Sequence, residues 1–183
     1  MTGKTSIFHY YKTGEFLQSP FATVGFDYSI KYIKYKKKNI RLSIFDTAGQ
    51  EKFRSVSTGT LRGVYGLLLV FSLIPLNNNQ TPEDYKRSAF DNLEFWLRQF
   101  HLINTRQNCV IYLLGNKVDD EEHRVIKYEE AKHFADTHNL KYFETSAKTG
   151  EGINDVFSNL VKDLLIAFPV SKPNDSDNFS IHT

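Results

Sequence analysis

Two short, uninterrupted apolar runs constrain the fold of this chain more than any other feature of its sequence. Residues 67–71 are Leu-Leu-Leu-Val-Phe and residues 110–114 are Val-Ile-Tyr-Leu-Leu. A strand without polar alternation is buried on both faces, and such strands occur in mostly parallel sheets covered by helices. Apolar residues at helical spacing follow at positions 90, 93, 96, 97 and 100, and again at 156, 157, 160, 164 and 165. This alternation of strands and helices predicts an α/β domain with helices on both faces of the sheet.

The remaining elements fit the same pattern. The sequence predicts a helix that begins near Lys4 and ends at Gly14, and a second helix capped by Thr81 with Pro82 in its first turn. Strands are predicted over 28–35, 40–45 and 140–145, with a hairpin tip at 36–39, and further helices over 128–138 and 154–168. We therefore expect one domain over residues 1–169 and a disordered polar tail over residues 170–183.

The first motif lies at the start of the first predicted helix. Gly3-Lys4-Thr5, followed by Ser6, matches the back half of the phosphate-binding loop G-x-x-x-x-G-K-[ST]. Lys4 would neutralise phosphate charge, and the Thr5 hydroxyl would bind Mg²⁺ while backbone N–H groups cradle the phosphates. By itself the tripeptide is weak evidence, because an ordinary helix start with nothing bound has the same sequence.

The second motif, Asp46-Thr47-Ala48-Gly49-Gln50-Glu51, directly follows a predicted strand. Asp46 is placed to hold Mg²⁺ through water, and Gly49 allows a backbone N–H to approach a γ-phosphate. The Gln50 amide has an acceptor and two donors, which suits the orientation of an attacking water and makes it the candidate catalytic residue. The alternative for Asp46 is a turn or a helix cap.

Two more motifs follow later strands. Asn116-Lys117-Val118-Asp119 comes after the 110–115 strand, and Ser146-Ala147-Lys148 comes after the 140–145 strand. The Asp119 carboxylate can accept from the two adjacent donors of guanine, a pair that adenine lacks. Lys117 could lie over the base, Asn116 could tie loops together, and the Ala147 N–H could meet the guanine O6. The alternative is a solvated loop with Asn and Asp in turn positions.

These four motifs, in this order, resemble the Ras superfamily of small GTPases over about residues 3–168, and the stretches 23–28, 44–54 and 61–63 resemble its Rab branch. The resemblance implies a P-loop NTPase fold that binds GTP or GDP with Mg²⁺ and hydrolyses GTP slowly. It makes Thr23 the switch threonine that coordinates Mg²⁺, and it places Phe16 against the guanine edge, where an ordinary core aromatic is the alternative. It also implies effector, exchange-factor and GTPase-activating partners and a role in vesicle traffic.

Three features limit these expectations. Relative to the family pattern, the first strand and the front of the phosphate loop are missing, so an N-terminally incomplete domain is expected, and an upstream start is our hypothesis for it. The last residues contain no cysteine for a prenyl anchor, so the expected location is the cytoplasm and peripheral attachment to intracellular membranes stays open. The net charge of +2 is too small to indicate a nucleic-acid partner.

Two interpretations of the whole chain therefore remain. The first is an active GTP-binding switch. The second is a nucleotide-deficient pseudo-GTPase that acts as a protein-binding module through its surface. The presence of Lys4, Thr23, Gln50 and Asp119 favours the first, and the missing front of the phosphate loop favours the second.

Overall fold

The structure is a computed structural model that describes residues 2–18, 26–35, 38–47, 61–75, 80–169 and 177–182. Helices and strands alternate along most of the chain, as the sequence predicts. In chain order the elements are α1 (Lys4–Thr13), β1 (Phe26–Tyr35), β2 (Lys38–Thr47), β3 (Gly66–Ser72), α2 (Pro82–Ile103), β4 (Val110–Asn116), α3 (Tyr128–Thr137), β5 (Lys141–Thr145), α4 (Ile153–Ala167) and β6 (Asp177–His182).

The strands form a six-stranded sheet in the order β1-β2-β6-β3-β4-β5. Only the β1–β2 hairpin is antiparallel among these pairs, and all other neighbours run parallel. The mostly parallel α/β sheet expected from the sequence is therefore confirmed. The hairpin register pairs Tyr35 with Lys38, so Lys38 and Asn39 belong to β2 rather than to the predicted hairpin tip.

Each face of the sheet supports its own apolar core. Leu114 packs on one face with Ile44 and with Phe157 of α4, while α1 adds Ile7 to the same core. Its neighbour Leu113 packs on the other face, in a core that includes Leu97 of α2 and Ala131 of α3. Consecutive residues of a strand point to opposite faces, so both faces of β4 require apolar side chains. The uninterrupted apolar runs of β3 and β4 reflect this double burial.

The start of α2 follows its predicted local chemistry. The Thr81 hydroxyl accepts a hydrogen bond of 3.1 Å from the Asp84 backbone N–H, and Pro82 occupies the first turn of the helix. The missing proline N–H costs nothing there, because the first N–H groups of a helix have no partner within the helix. Among the described residues, no helix combines the length and the apolarity that crossing a membrane requires.

The prediction of a disordered tail is wrong for residues 177–182, which form the strand β6 between β2 and β3. Phe179, Ile181 and His182 are buried there. Phe179 and Ile181 are only two residues apart in a polar segment, so the sequence offers a weak signal. Their burial depends on a groove built by strands far away in the chain. Residues 170–176 and 183 lie outside the described residues.

Candidate functional site

The predicted motif residues lie where strands of the sheet end. Asp46 is the second-to-last residue of β2, Asn116 is the last residue of β4, and Ser146 directly follows β5. These three strands run parallel to one another through β6 and β3, so their carboxyl ends lie along the same edge of the sheet. Ligands of open α/β sheets bind at this edge.

The first turn of α1 meets the end of β2 at this edge. The Thr5 hydroxyl donates a hydrogen bond of 2.6 Å to the Asp46 carboxylate, which is fully buried. Burial lowers the pKa of the neighbouring Lys4 amine, and the negative charge of Asp46 partly opposes this shift. A hydroxyl, a carboxylate and an amine are thus brought together from positions about forty residues apart in sequence, as the motifs predict.

A side chain at Gly3 would be strained and would displace the Asn116 side chain. Its φ of +95° is in the left-handed region, and a Cβ built there would lie 2.2 Å from Asn116 Nδ2. Its carbonyl accepts the hydrogen bond of 2.9 Å from the Ile7 N–H that opens α1. Both the backbone conformation and the close approach of Asn116 therefore favour glycine at this position.

Asn116 connects three segments, which confirms the expectation that it ties loops together. Its Nδ2 donates to the Thr2 carbonyl at 2.9 Å, while its Oδ1 accepts from Ala147 N–H at 3.2 Å and from Thr145 Oγ1 at 3.3 Å. The residue is only 1% exposed. Because the amide is buried and uses both of its ends, it fixes the segment before α1 relative to the Ser146 loop.

The Asp119 carboxylate lies beside the Ser146 loop. Asp119 Oδ1 accepts a hydrogen bond of 2.6 Å from Ser146 Oγ, and Lys148 Nζ lies 3.8 Å from Asp119 Oδ2. Lys117 has a φ of +72°, an uncommon conformation for a residue with a side chain. Burial lowers the pKa of the Lys117 amine, against the opposing charges of Asp120 and Asp119. Two motifs separated in sequence are thus joined into one cluster.

Two residues at this site have no role in the sequence-based expectations. The Tyr10 hydroxyl donates to the Thr149 carbonyl at 3.2 Å, and a Cβ on Gly150 would lie 2.1 Å from that hydroxyl. Tyr10 lies one helical turn beyond Ile7, so its place on the inner side of α1 follows from helical spacing. Thr2 contributes its carbonyl to Asn116, and no sequence signal for this contact exists beyond its position before Gly3.

The other predicted site residues divide into two groups. Ser6 is buried in α1, whereas Phe16 is 39% exposed, which argues against the alternative of an ordinary core aromatic. Thr23, Gly49 and Gln50 lie outside the described residues.

The chemistry of the described residues fits a magnesium nucleotide. The Thr5 hydroxyl and the Asp46 carboxylate are the hard oxygen donors that Mg²⁺ takes together with phosphate oxygens. Among the described residues, no group of three or more His, Cys, Asp or Glu side chains could hold a metal ion. The Thr2 hydroxyl oxygen is buried and has no hydrogen-bond partner in the described part of the chain.

Comparison with known proteins gives the class. The sequence matches the Ras family over residues 1–166. It is 32% identical to the Ras-related protein Rab-1 of Theileria annulata, over 98% of this chain and 78% of that protein. It is 33% identical to the Ras-related protein Rab-10 of Diplobatis ommata, over 99% of this chain and 84% of that protein. The chain belongs to the Ras family of small GTPases and is Rab-like, so its class is that of GTP-binding switches.

Proposed function

We propose that this protein binds GDP and GTP with Mg²⁺ at the carboxyl edge of its sheet and hydrolyses GTP as a switch in intracellular vesicle traffic. The observation that carries the proposal is the hydrogen-bonded assembly of four separate motifs around Asn116 and Asp46. An isolated Gly-Lys-Thr tripeptide would carry little weight, but the carbonyl of Thr2, directly before it, accepts a hydrogen bond from Asn116 of the Asn-Lys-x-Asp motif, and a ligand shared by the two motifs requires such proximity.

The residues of α1 and β2 form the phosphate half of the proposed site. Gly3, Lys4, Thr5 and Ser6 would surround the phosphates with backbone N–H groups and one amine, while Thr5 and Asp46 would hold Mg²⁺. Mg²⁺, when bound, neutralises charge on the phosphates. The pKa of the buried Lys4 amine is lowered in the protein alone, and phosphate charge would favour its protonated form.

The loops after β4 and β5 form the base half of the proposed site. The Asp119 carboxylate would accept from guanine N1–H and the exocyclic amino group, held in place by Ser146 Oγ. Lys117 and Phe16 would contact the base, whereas the backbone N–H groups of Ala147 and Lys148 donate within the protein, to Asn116 Oδ1 and to Ser146 Oγ. An adenine would leave the carboxylate without those two donors, which is a large penalty for a desolvated charge.

The proposed switch depends on residues whose roles we infer from membership of the Ras family. Thr23 would complete the Mg²⁺ coordination, Gly49 would contact the γ-phosphate and Gln50 would orient the attacking water. Loss of the γ-phosphate would release both loops, and effector, exchange-factor and GTPase-activating proteins would respond to that change. We place the protein in the cytoplasm with peripheral access to intracellular membranes.

Competition binding tests the proposal. Fluorescent mant-GDP should bind the chain in Mg²⁺, and GDP or GTP should displace it while ATP does not. In Asp119→Asn the preference for GDP over ADP should fall by at least about 100-fold, because the substitution removes the charged acceptor. Asp120→Asn, which alters the neighbouring carboxylate, is the matched control and should keep the preference. A chain without Mg²⁺-dependent mant-GDP binding would overturn the proposal in favour of a pseudo-GTPase binding module.

A further inference from the structure

The centre of the sheet is filled by the last described segment of the chain. β6 pairs with β2 along its whole length, from Ile40 opposite Asp177 to Phe45 opposite His182. On its other side it pairs with β3 at Gly66 and Leu67, and the Tyr65 N–H donates to the Ser180 carbonyl at 2.7 Å. β2 and β3 are therefore not hydrogen-bonded neighbours, and β6 is the strand that links them within the described sheet.

Two side chains anchor β6 in the core. Phe179 is 3% exposed and lies opposite Leu42, while Ile181 is fully buried opposite Ile44. The Phe179 ring meets the Tyr65 ring edge-on, with centroids 5.1 Å apart. Asn178, between the strand start and these anchors, is exposed. The groove between β2 and β3 thus accepts an extended segment with apolar side chains at alternate positions.

A glycine on β3, at one side of the groove, leaves space for this strand. A Cβ on Gly66 would lie 3.2 Å from Ile181 Cγ2 and 3.0 Å from the Val110 carbonyl oxygen. A glycine at position 66 therefore allows the backbone of β3 to approach both β4 and the Ile181 side chain closely.

The position of β6 divides the candidate site into two halves. Asp46, with its partner Thr5, belongs to the half built on β1 and β2. Asn116 and Ser146 belong to the half built on β3, β4 and β5. The hydrogen-bond ladder between the two halves passes through β6. Undocking of β6 would therefore break the sheet between the residues for the phosphates and those for the base.

We propose that the groove between β2 and β3 is a strand-binding site, that its ligand is this chain's own segment Asp177–His182, and that its docking holds the two halves of the nucleotide site together. The first two parts stand on strand pairing and burial alone. The third part rests on the proposed function.

Disulfide trapping tests where the segment binds. Ser43 and Ser180 are direct partners in the parallel register of β2 and β6, and neighbouring strands bring such positions within disulfide range. In a Cys109→Ser background, the pair Ser43→Cys and Ser180→Cys should form an intrachain disulfide under mild oxidation. Ser43→Cys paired with Ser158→Cys, on the exposed side of α4, is the control and should not. A disulfide between chains, or none at all, would overturn the assignment to the chain's own segment.

Substitution on β6 tests what docking controls. Ile181→Ala should raise hydrogen exchange over residues 40–45 and weaken mant-GDP binding at least tenfold, whereas Asn178→Ala should change neither. Oxidation of the Ser43→Cys and Ser180→Cys pair in the Ile181→Ala background should restore binding, an effect that a merely misfolded protein would not show. Unchanged exchange over 40–45 in Ile181→Ala would overturn the strand-binding site. If the parent chain binds no mant-GDP, the proposed function fails. Disulfide trapping and hydrogen exchange then still test whether Asp177–His182 docks between β2 and β3.

Discussion

The Thr5 hydroxyl donates a hydrogen bond of 2.6 Å to the Asp46 carboxylate, and this contact joins the first turn of α1 to the end of β2. Asp46 is fully buried. Burial lowers the pKa of the Lys4 amine, and the negative charge of Asp46 partly offsets that decrease. One carboxylate therefore orients a hydroxyl and favours the protonated form of an amine at the position where phosphates are proposed to bind.

Asp46→Asn should remove the effect of Mg²⁺ on nucleotide binding. An amide keeps the shape of the side chain but lacks the charge that attracts the ion, so mant-GDP affinity in Mg²⁺ should fall by roughly 10–100-fold. Titrations in Mg²⁺ and in EDTA should then give the same affinity. Asp136→Asn is the control, because Asp136 pairs with Lys132 on the surface of α3, away from the site. A persistent difference between Mg²⁺ and EDTA in Asp46→Asn would contradict the assignment.

Asn116→Ala should lower stability even without nucleotide. The substitution leaves the Thr2 carbonyl and the Ala147 N–H without their side-chain partner in a buried region. Each unsatisfied buried group costs about 1–3 kcal/mol, so the thermal midpoint should fall by several degrees. Asn92→Ala removes an exposed side chain that donates to the Ser88 carbonyl, and its midpoint should hardly move. Equal midpoints for the two variants in calorimetry would show that Asn116 is not a structural bridge.

Gly3→Ala and Gly14→Ala separate backbone strain from steric conflict. Both glycines have positive φ, +95° and +78°, but a Cβ at Gly14 meets nothing within 4 Å, whereas one at Gly3 meets Asn116 Nδ2 at 2.2 Å. Gly14→Ala should cost about 1–2 kcal/mol in the free energy of unfolding, the price of the left-handed conformation. Gly3→Ala should cost more and should also weaken nucleotide binding. Denaturant titration and mant-GDP binding of both variants check this. Equal losses of stability and of binding in the two variants would contradict a steric conflict between position 3 and Asn116.

His123 should titrate above its ordinary pKa. Its Nδ1 lies 2.7 Å from Asp120 Oδ1, and this hydrogen bond raises the pKa of the imidazole. A base with a raised pKa in the folded state stabilises that state below its unfolded pKa, and the contribution is lost as pH rises through the folded pKa. NMR titration should place the His123 pKa above 6.5, and Asp120→Asn should move it back down. A titration curve unaffected by Asp120→Asn would show that the contact does not persist in solution.

Local sequence patterns determined most of the elements and the identity of the motif residues. Thr81 and Pro82 define the start of α2 because capping and proline geometry act within one helical turn. The run at 110–114 indicates a doubly buried strand because both faces need apolar side chains. Asp46, Asn116 and Asp119 could be expected near one edge of the sheet because parallel strands present their carboxyl ends there.

Only the tertiary structure decided which segment lies at the centre of the sheet and which contacts join the motifs. Phe179 and Ile181 are a weak pattern within a polar segment, and their burial depends on a groove whose walls, at Leu42 and Tyr65, are more than a hundred residues away. The contacts of Asn116 with Thr2 and Ala147 likewise join distant segments. Strand pairing and packing are non-local, so local spacing determines what each segment can form, whereas the assembled fold determines which segments meet.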